Sequence, residues 1–493
     1  MPDNSAAIVI DIGTTNCKVT CFSCLDATTL GAHKFVTAKQ ISPQGDVDFD
    51  IDALWQEVRQ AIAQLNAASP LPVRRISIAS FGESGVFLDE HGEILTPMLA
   101  WYDRRGEEYL ATLSEADSAA LYDICGLPLH SNYSAFKMRW LLEHYPLRNR
   151  RGLLWRLTGE QRTDITLASR TLCLDVRKGE WSAKATALLH VPCSAFAPLV
   201  QPGEHAGWVS ESLCKTLGFS QPVSVTLAGH DHMVGARALQ MMPGDILNST
   251  GTTEGILQLD TQPTLDEQAK RDKLANGCYS LANQFTLFAS LPVGGFALEW
   301  LRNTFRLTDE EIAASLNRGY ADYLAGNWSL DDIPVFIPHL RGSGSPYKNR
   351  HTRGLFYGLG DTLNIDMLIS SVSLGLTMEF ANCFACFNVP GTSVLKVIGP
   401  ATHNPLWLQL KADILQRPVE AIAFSEAVSV GALLTAAPDI PPPQVTIAQR
   451  LLPNRARYHQ LQRYQHKWKS WYQLKLQQEG VMPLHHREEH YVD

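Results

Sequence analysis

Two carboxylates, one lysine and a repeated tripeptide are the residues of this chain whose types and spacing could do chemistry. Gly-Thr-Thr occurs at Gly13-Thr14-Thr15 and again at Gly251-Thr252-Thr253. Each copy stands between two short apolar, β-branched runs, so each predicts a tight β-hairpin whose turn exposes N–H groups and hydroxyls. Two such turns facing each other would clamp phosphate, because unpaired N–H groups and Thr hydroxyls are donors suited to an anion. Either copy alone reads better as an ordinary hairpin; their duplication at matching positions favours the clamp. Asp11, two residues before the first copy, ends an apolar run where a charge calls for a partner, and a magnesium ion beside polyphosphate would serve. Lys18 either reaches the same phosphates as a point charge or is an exposed hairpin lysine.

Asp231 lies in Ala228-Gly229-His230-Asp231-His232, after the strand-like run Val223 to Ala228. Open α/β sheets bind ligands at the carboxyl ends of their strands. A carboxylate on a glycine-started turn there can take the proton of a hydroxyl attacking phosphorus. The flanking His230 and His232 invite a metal, but neighbouring positions of an extended chain project in different directions. A third group comprises Glu83 and Ser84, within Phe81–Asp89, and Trp101 and Asp103, within Trp101-Tyr102-Asp103-Arg104-Arg105. Carboxylate, hydroxyl and indole suit a polyhydroxylated ligand, whose hydroxyls need paired acceptors and whose C–H face stacks on aromatics. Taken alone, these residues are better read as a strand-end turn with a capping carboxylate.

The elements that must position these residues fall into two halves. The first opens with strand-like runs at 6–13, 17–24 and about 31–41. A helix follows from Ile51 to Leu65, with Leu54, Val58, Ala61, Ile62 and Leu65 on one face. Arg75 to Phe81 is a buried-strand candidate broken at Gly82, and 103–200 is an insertion of helical segments and short strands. Met242-Pro243-Gly244-Asp245 is a turn signal directly before the second hairpin and marks the junction. The second half repeats the order up to a late strand, Val394 to Gly399. Beyond Pro438 to Pro443, Leu461, Tyr464, Trp468, Trp471 and Tyr472 recur at three- and four-residue steps and predict a helix docked by an aromatic face.

Bulk properties narrow the partners. A chain of 493 residues exceeds one core, and 45% apolar with 19% charged residues is an ordinary globular composition. A net charge of -8 disfavours nucleic acid, and Arg148-Asn149-Arg150-Arg151 reads as a solvated turn. No run approaches the ~18 apolar residues of a membrane span. No basic region precedes an apolar stretch at the start, so neither membrane nor signal peptide is expected. The ten cysteines lie mostly in apolar runs, which fits a reduced, cytoplasmic compartment. Cys383-Phe384-Ala385-Cys386 lacks the second ligand pair of a zinc site.

Together these motifs resemble the FGGY family of carbohydrate kinases, of the fuculokinase and xylulokinase kind, over nearly the whole chain. The resemblance implies an α/β fold of two actin-like, ribonuclease H-like domains with an interdomain cleft. There ATP, with Mg2+, phosphorylates a small-molecule sugar: a ketose or a related polyol or sugar acid. It implies residues 1–243 as the sugar-binding and catalytic domain, 244–438 as the nucleotide-binding domain, and 439–493 as a helical tail packed on it. By the matching motifs, Asp231 is the general base and Asp11 the metal residue. Gly13, Thr14, Thr15, Asn16, Lys18, Gly251 and Thr252 hold phosphates; Gly295, Glu299, Gly399 and Asn404 flank the nucleotide. Glu83, Ser84, Trp101, Asp103 and His232, with Asp231, line the sugar site. Leu157-Thr158-Gly159-Glu160, Thr163-Asp164 and Ala168-Ser169 repeat a mid-domain signature, and Ser343 to Gly358 and Trp407 to Asp413 follow the pattern. A homodimer is compatible with all of this.

Three departures stand out. The late nucleotide loop, Gly399-Pro400-Ala401-Thr402-His403-Asn404, lacks consecutive glycines: Pro400 removes an N–H, and Ala401 adds a Cβ beside the expected adenosine. The stretch from Pro146 to Leu157 is short for the family, and the helix at Ser370 to Phe380 lacks an acidic residue before Gly375. The altered loop supports an alternative, a non-catalytic sugar or nucleotide sensor of the same fold; Asp11, Lys18 and Asp231 count against it. An acyl-phosphate kinase would call for paired arginines where Glu83 and Asp103 stand.

Overall fold

The computed structural model describes residues 3–89, 92–145, 155–424 and 426–480. The basic cluster at 148–151, most of the short stretch beginning at Pro146 and the end of the tail lie outside the described residues.

Both predicted hairpins form. Strands β1 (Ala6–Ile12) and β2 (Asn16–Ser23) pair antiparallel around Gly13 to Thr15, and β3 (Thr29–Val36) adds to β2. Helix α1 (Ile51–Ala68) starts where the Asp50 carboxylate accepts the Ala53 N–H, and its buried stripe is Ile51, Leu54, Val58, Ala61, Ile62 and Leu65. It packs on Ile8 and Ile10 of β1. Strands β4 (Val73–Ser80), β5 (His205–Trp208) and β6 (Ser224–His230) complete a six-stranded sheet of order β5-β6-β4-β1-β2-β3. β1, β4 and β6 run parallel. The register sets Ile12 opposite Ser80 and Ser80 opposite His230. Gly13, Phe81 and Asp231 therefore leave the sheet side by side, at the edge where such sheets bind ligands.

The second half repeats the plan. Strands β7 (Ile246–Thr250), β8 (Glu254–Asp260), β9 (Ala275–Cys278), β10 (Phe285–Leu291), β11 (Leu395–Ile398), β12 (Val419–Ala423) and β13 (Thr446–Leu451) form one sheet of order β9-β10-β8-β7-β11-β12-β13. β7 is antiparallel to its hairpin partner β8 and parallel to β11, as β1 is to β2 and β4. Ser249 stands opposite Ile398, so the second Gly-Thr-Thr turn and Gly399 also emerge together.

Helix α2 (Asp231–Ala238) begins at the first sheet's functional edge and α3 (Phe296–Phe305) beside the second hairpin turn. Helix α4 (Ile365–Phe384) is the core of the second half; a Cβ on its Gly375 would stand 2.3 Å from the Phe336 carbonyl oxygen. By length and composition alone α4 is apolar enough to cross a membrane, which the run of residues did not suggest because serines and threonines interrupt it. Their hydroxyls are satisfied internally: Ser371 donates to Pro334 O (2.7 Å), Ser373 to Ile369 O (3.0 Å) and Thr377 to Ser373 O (2.7 Å). Helix α5 (Pro405–Leu415) follows β11.

Helix α6 (Ala427–Ala436) comes after β12 in sequence yet covers the other face of the first sheet, against Ala7, Val9, Ala79 and Ala228. Those small side chains admit a close approach. Ser77 Oγ donates to Ala432 O at 2.8 Å, and a Cβ on Gly431 would stand 1.8 Å from Val234 O of α2. The two halves are thus joined through α6. The tail forms α7 (Arg455–Gln478), burying Leu461, Tyr464, Trp468 and Tyr472, while Trp471 stacks on Tyr357. Asp413 of α5 anchors it, accepting from Asn454 N (2.7 Å) and Arg457 Nε (2.6 Å).

Candidate active site

The first Gly-Thr-Thr turn is closed by Gly13 N donating to Asn16 O at 3.0 Å; a Cβ on Gly13 would stand 2.7 Å from that oxygen. Thr37 braces it, its hydroxyl donating to Gly13 O (2.7 Å) and its N–H to Thr15 O (3.0 Å). The Trp101 indole donates to Thr14 Oγ1 at 3.0 Å, which brings the sugar-side segment onto the phosphate turn. Asp11 stands opposite Lys18 in the β1–β2 ladder, but the Lys18 ammonium pairs with Glu426, just before α6. Burial, then the charges of Asp231 and Glu426, push the Asp11 carboxyl up to about 7, with Lys18 opposing. Among the described residues no three acidic, histidine or cysteine side chains gather as a metal site, so Asp11 would have to hold a magnesium ion together with the phosphates themselves.

Asp231 is the first residue of α2, a quarter exposed at its side chain, with Oδ1 accepting the His232 N–H at 2.7 Å. Behind it, Gly229 adopts φ +115° at a bulge in β6, where a Cβ would stand 2.3 Å from Thr166 Oγ1. That hydroxyl accepts the His230 N–H at 2.7 Å and donates to buried Asp164, whose carboxyl is pushed up to about 7 by burial against the pull of Thr166. Thr166 and Asp164 thereby fix where the strand ends and Asp231 begins. The chain turns at Asp231, so the rings of His230 and His232 stack at 5.3 Å instead of diverging as an extended chain would require. No third metal ligand joins them among the described residues. His232 also faces Phe288 of the second half, 5.5 Å between ring centroids.

Glu83, at φ +66°, pairs with Arg170 at 2.9 Å. Ser84 Oγ is buried without a hydrogen-bond partner among the described residues. Both line a cavity of about 290 Å³ beneath the loop, together with Lys137, Phe87 and Trp55. Asp103, placed in the sugar site by its motif, is inward-facing and 5% exposed. It accepts from Val47 N (2.6 Å), Arg105 N (2.9 Å) and Arg105 Nε (2.8 Å), so its geometry is that of a brace for the loop that carries Trp101.

In the second half, Gly251 O accepts the Gly295 N–H (2.8 Å) and Thr252 O the N–H groups of Gly294 (2.9 Å) and Phe296 (3.2 Å). The Thr252 and Thr253 side chains are exposed, as is Glu299 on α3. Gly399, at φ +93°, lies so close to Thr250 that a Cβ would stand 2.0 Å from its carbonyl oxygen. The Ala401 N–H goes to Thr250 Oγ1 at 3.1 Å, and Asn404 caps α5, its Oδ1 accepting the Trp407 N–H at 3.1 Å. Beneath the turn, the Lys411 ammonium pairs with Glu254 and donates to Asn248 Oδ1 (2.7 Å), all three fully buried.

Residues 6–237 match the model of the N-terminal domain, and residues 246–438 that of the C-terminal domain, of the FGGY family of carbohydrate kinases. The chain belongs to this family. It is a kinase, a phosphotransferase with an alcohol group as acceptor, and ATP is its phosphoryl donor. Glycerol kinase 1 of Pseudomonas aeruginosa is 28% identical over 458 residues, covering 86% of this chain and 88% of that protein. The xylulose kinase of Rhodospirillum rubrum superposes with a TM-score of 0.84 at 23% identity, over 96% of this chain and 99% of that one. The ligand-bound xylulose kinase of Lactobacillus acidophilus gives 0.85 at 18%, over 96% and 98%. These likenesses establish the fold of two actin-like domains.

In this FGGY kinase several site residues carry no sequence signal. Arg170 meets Glu83 across 87 positions and Glu426 meets Lys18 from the other half. The Thr166–Asp164 brace lies inside a recognised motif, but only the bulge at Gly229 reveals what it supports.

Proposed function

We propose that Asp231 is the general base, accepting the proton of a sugar or polyol hydroxyl as that oxygen attacks the terminal phosphorus of ATP. The observation that carries this reading is the register that sets Ile12, Ser80 and His230 in one row, so that the phosphate turn, the sugar loop and Asp231 share an edge. Thr14, Thr15 and Thr252 would donate to phosphate oxygens, because phosphoryl transfer depends chiefly on positioning and charge neutralisation. Magnesium, held through Asp11, would neutralise phosphate charge. Residues 1–243 would bind the acceptor, through Glu83, Ser84, Trp101 and His232, and residues 244–438 the nucleotide, near Gly295 and Gly399. Pro400 and Ala401 would set how closely adenosine approaches.

ADP release with Mg-ATP, measured over glycerol, xylulose, deoxyketohexoses, polyols and sugar acids, tests the reading. Turnover with at least one acceptor is expected, and Asp231→Asn should lower kcat about 10²–10⁴-fold while acceptor binding by calorimetry persists.

A further inference from the structure

On that reading Glu83 meets the acceptor, and its own surroundings decide how. Its backbone is left-handed at φ +66°, three residues past the end of β4, so no strand ladder directs its side chain. What directs it is Arg170: Glu83 Oε1 accepts from Arg170 Nε at 2.9 Å, the two side chains being 10% and 11% exposed. An ionised carboxylate only accepts hydrogen bonds. With Oε1 committed, Oε2 is the atom left for a hydroxyl of the acceptor, and it has no other partner among the described residues.

Arg170 is itself held from two further sides. Its guanidinium lies over the Tyr133 ring, 5.2 Å from the centroid. Its stem packs beside Gly82, where a Cβ would stand 3.4 Å from Arg170 Cγ and 2.7 Å from His230 Cδ2. The missing side chain at Gly82 thus lets Arg170 and His230 both reach the loop.

The chain around Arg170 reaches the rest of the site. Asp164 caps the single helical turn Ile165–Ala168, accepting the Thr166 N–H at 2.7 Å. Thr166 Oγ1 accepts the His230 N–H at 2.7 Å, directly before Asp231. Ser169 Oγ accepts the Cys278 N–H of β9, in the second half, at 3.2 Å. One short segment therefore touches the residue before the base, the carboxylate of the sugar loop and the opposite half.

We propose that Arg170 is a positioning residue for the acceptor. It aims Glu83 Oε2 at one hydroxyl, while the same segment, through Thr166, sets Asp231 against the reacting hydroxyl. The spacing between the recognised and the reacting hydroxyl is then built into residues 164–170, which makes Arg170 a determinant of acceptor choice.

The test uses the full chain with Mg-ATP and whichever of glycerol, xylulose, the deoxyketohexoses, polyols and sugar acids gives the fastest ADP release. Arg170→Met should raise KM for that acceptor roughly tenfold or more, the usual worth of a charged hydrogen bond, with KM for ATP within about twofold of wild type. Arg170→Lys should recover part of the loss, since an ammonium replaces Nε as donor but not the stacked plane. In a Glu83→Gln background, Arg170→Met should cost little more in kcat/KM, because the two residues act as a unit. A merely structural role would move both KM values together and make the losses add. An acceptor KM unmoved in Arg170→Met, or losses that add, would overturn the proposal and leave the kinase reading intact. An acceptor KM unmoved in Glu83→Gln would overturn the place of Glu83 in the site as well. Should Arg170→Met fail to fold, the same cycle run with Arg170→Lys decides: a raised acceptor KM that disappears in the Glu83→Gln background is expected, and an unmoved or additive one overturns the proposal.

Discussion

The two Gly-Thr-Thr turns are alike in sequence and hairpin geometry but differ in what surrounds them. The first is set among charges: Asp11 one strand-end away, Lys18 paired across to Glu426, Asp231 at the head of α2. The second is held by backbone, with Gly294, Gly295 and Phe296 donating into it and Gly399 pressed against Thr250. An ion pair, Lys411 with Glu254, is sealed beneath it. On the proposed reading, the duplicated motif yields one side for chemistry and one for shape. Breaking the first should cost turnover, and breaking the second should cost stability and nucleotide affinity.

The largest effect expected on the first side is from Asp231→Asn, a fall in kcat of about 10²–10⁴-fold, the usual worth of a general base. Its melting temperature should stay near wild type, since the Asp231 side chain is partly exposed and makes one hydrogen bond, to an adjacent amide. The counterpart on the second side is Lys411→Met. Removing one partner of a buried pair leaves Glu254 uncompensated, at a cost of about 3–5 kcal/mol that denaturant titration would read. If Lys411→Met instead lowered kcat with unchanged stability, the contrast between the two turns would fail. Gly399→Ala adds to the about 1–3 kcal/mol of strain at positive φ a Cβ 2.0 Å from Thr250 O, so the turn must shift and KM for ATP should rise.

Asp11 gives a pH test of the charged side. Its native value of about 7 lies above its ordinary 3.8, so the folded state binds the proton more tightly than the unfolded state. That contribution to stability is full below about 4 and is lost as pH rises through about 7. The ligand-free protein should therefore melt at lower temperature at pH 8 than at pH 6, and Asp11→Asn should flatten the trend. Magnesium and nucleotide should restore the loss, because they favour the ionised form.

How much was legible in the sequence follows from range. The hairpins, α1 with its Leu54–Val58–Ala61–Leu65 face and the aromatic stripe of α7 were legible because their periodicity is local. Asp11, Asp231, Glu83 and Trp101 were legible as motifs. Their partners were not: Arg170, Glu426 and Thr166 are brought in by the folding of the first half and by α6 crossing to the first sheet, and no spacing records that. For the same reason Asp103 and Asn404 looked ligand-facing, whereas their oxygens are committed to Arg105 and to the Trp407 amide.

The smallest effect sharpens the comparison most. Glu426 holds Lys18 in a pair that is a quarter and two-fifths exposed at its side chains, so solvent screening keeps its contribution to stability below about 1 kcal/mol. Glu426→Gln should leave the melting temperature nearly unchanged. It removes a carboxylate that acts on Asp11 and releases the Lys18 ammonium towards the phosphate turn. KM for ATP should then fall a few-fold, and the Asp11 pH trend should shift downward. A raised KM would mean that the pair holds Lys18 ready for phosphate; a lowered one would mean that Glu426 competes with the nucleotide for it. Either way the measured sign tells whether α6, which joins the two halves, restrains the charged turn or prepares it.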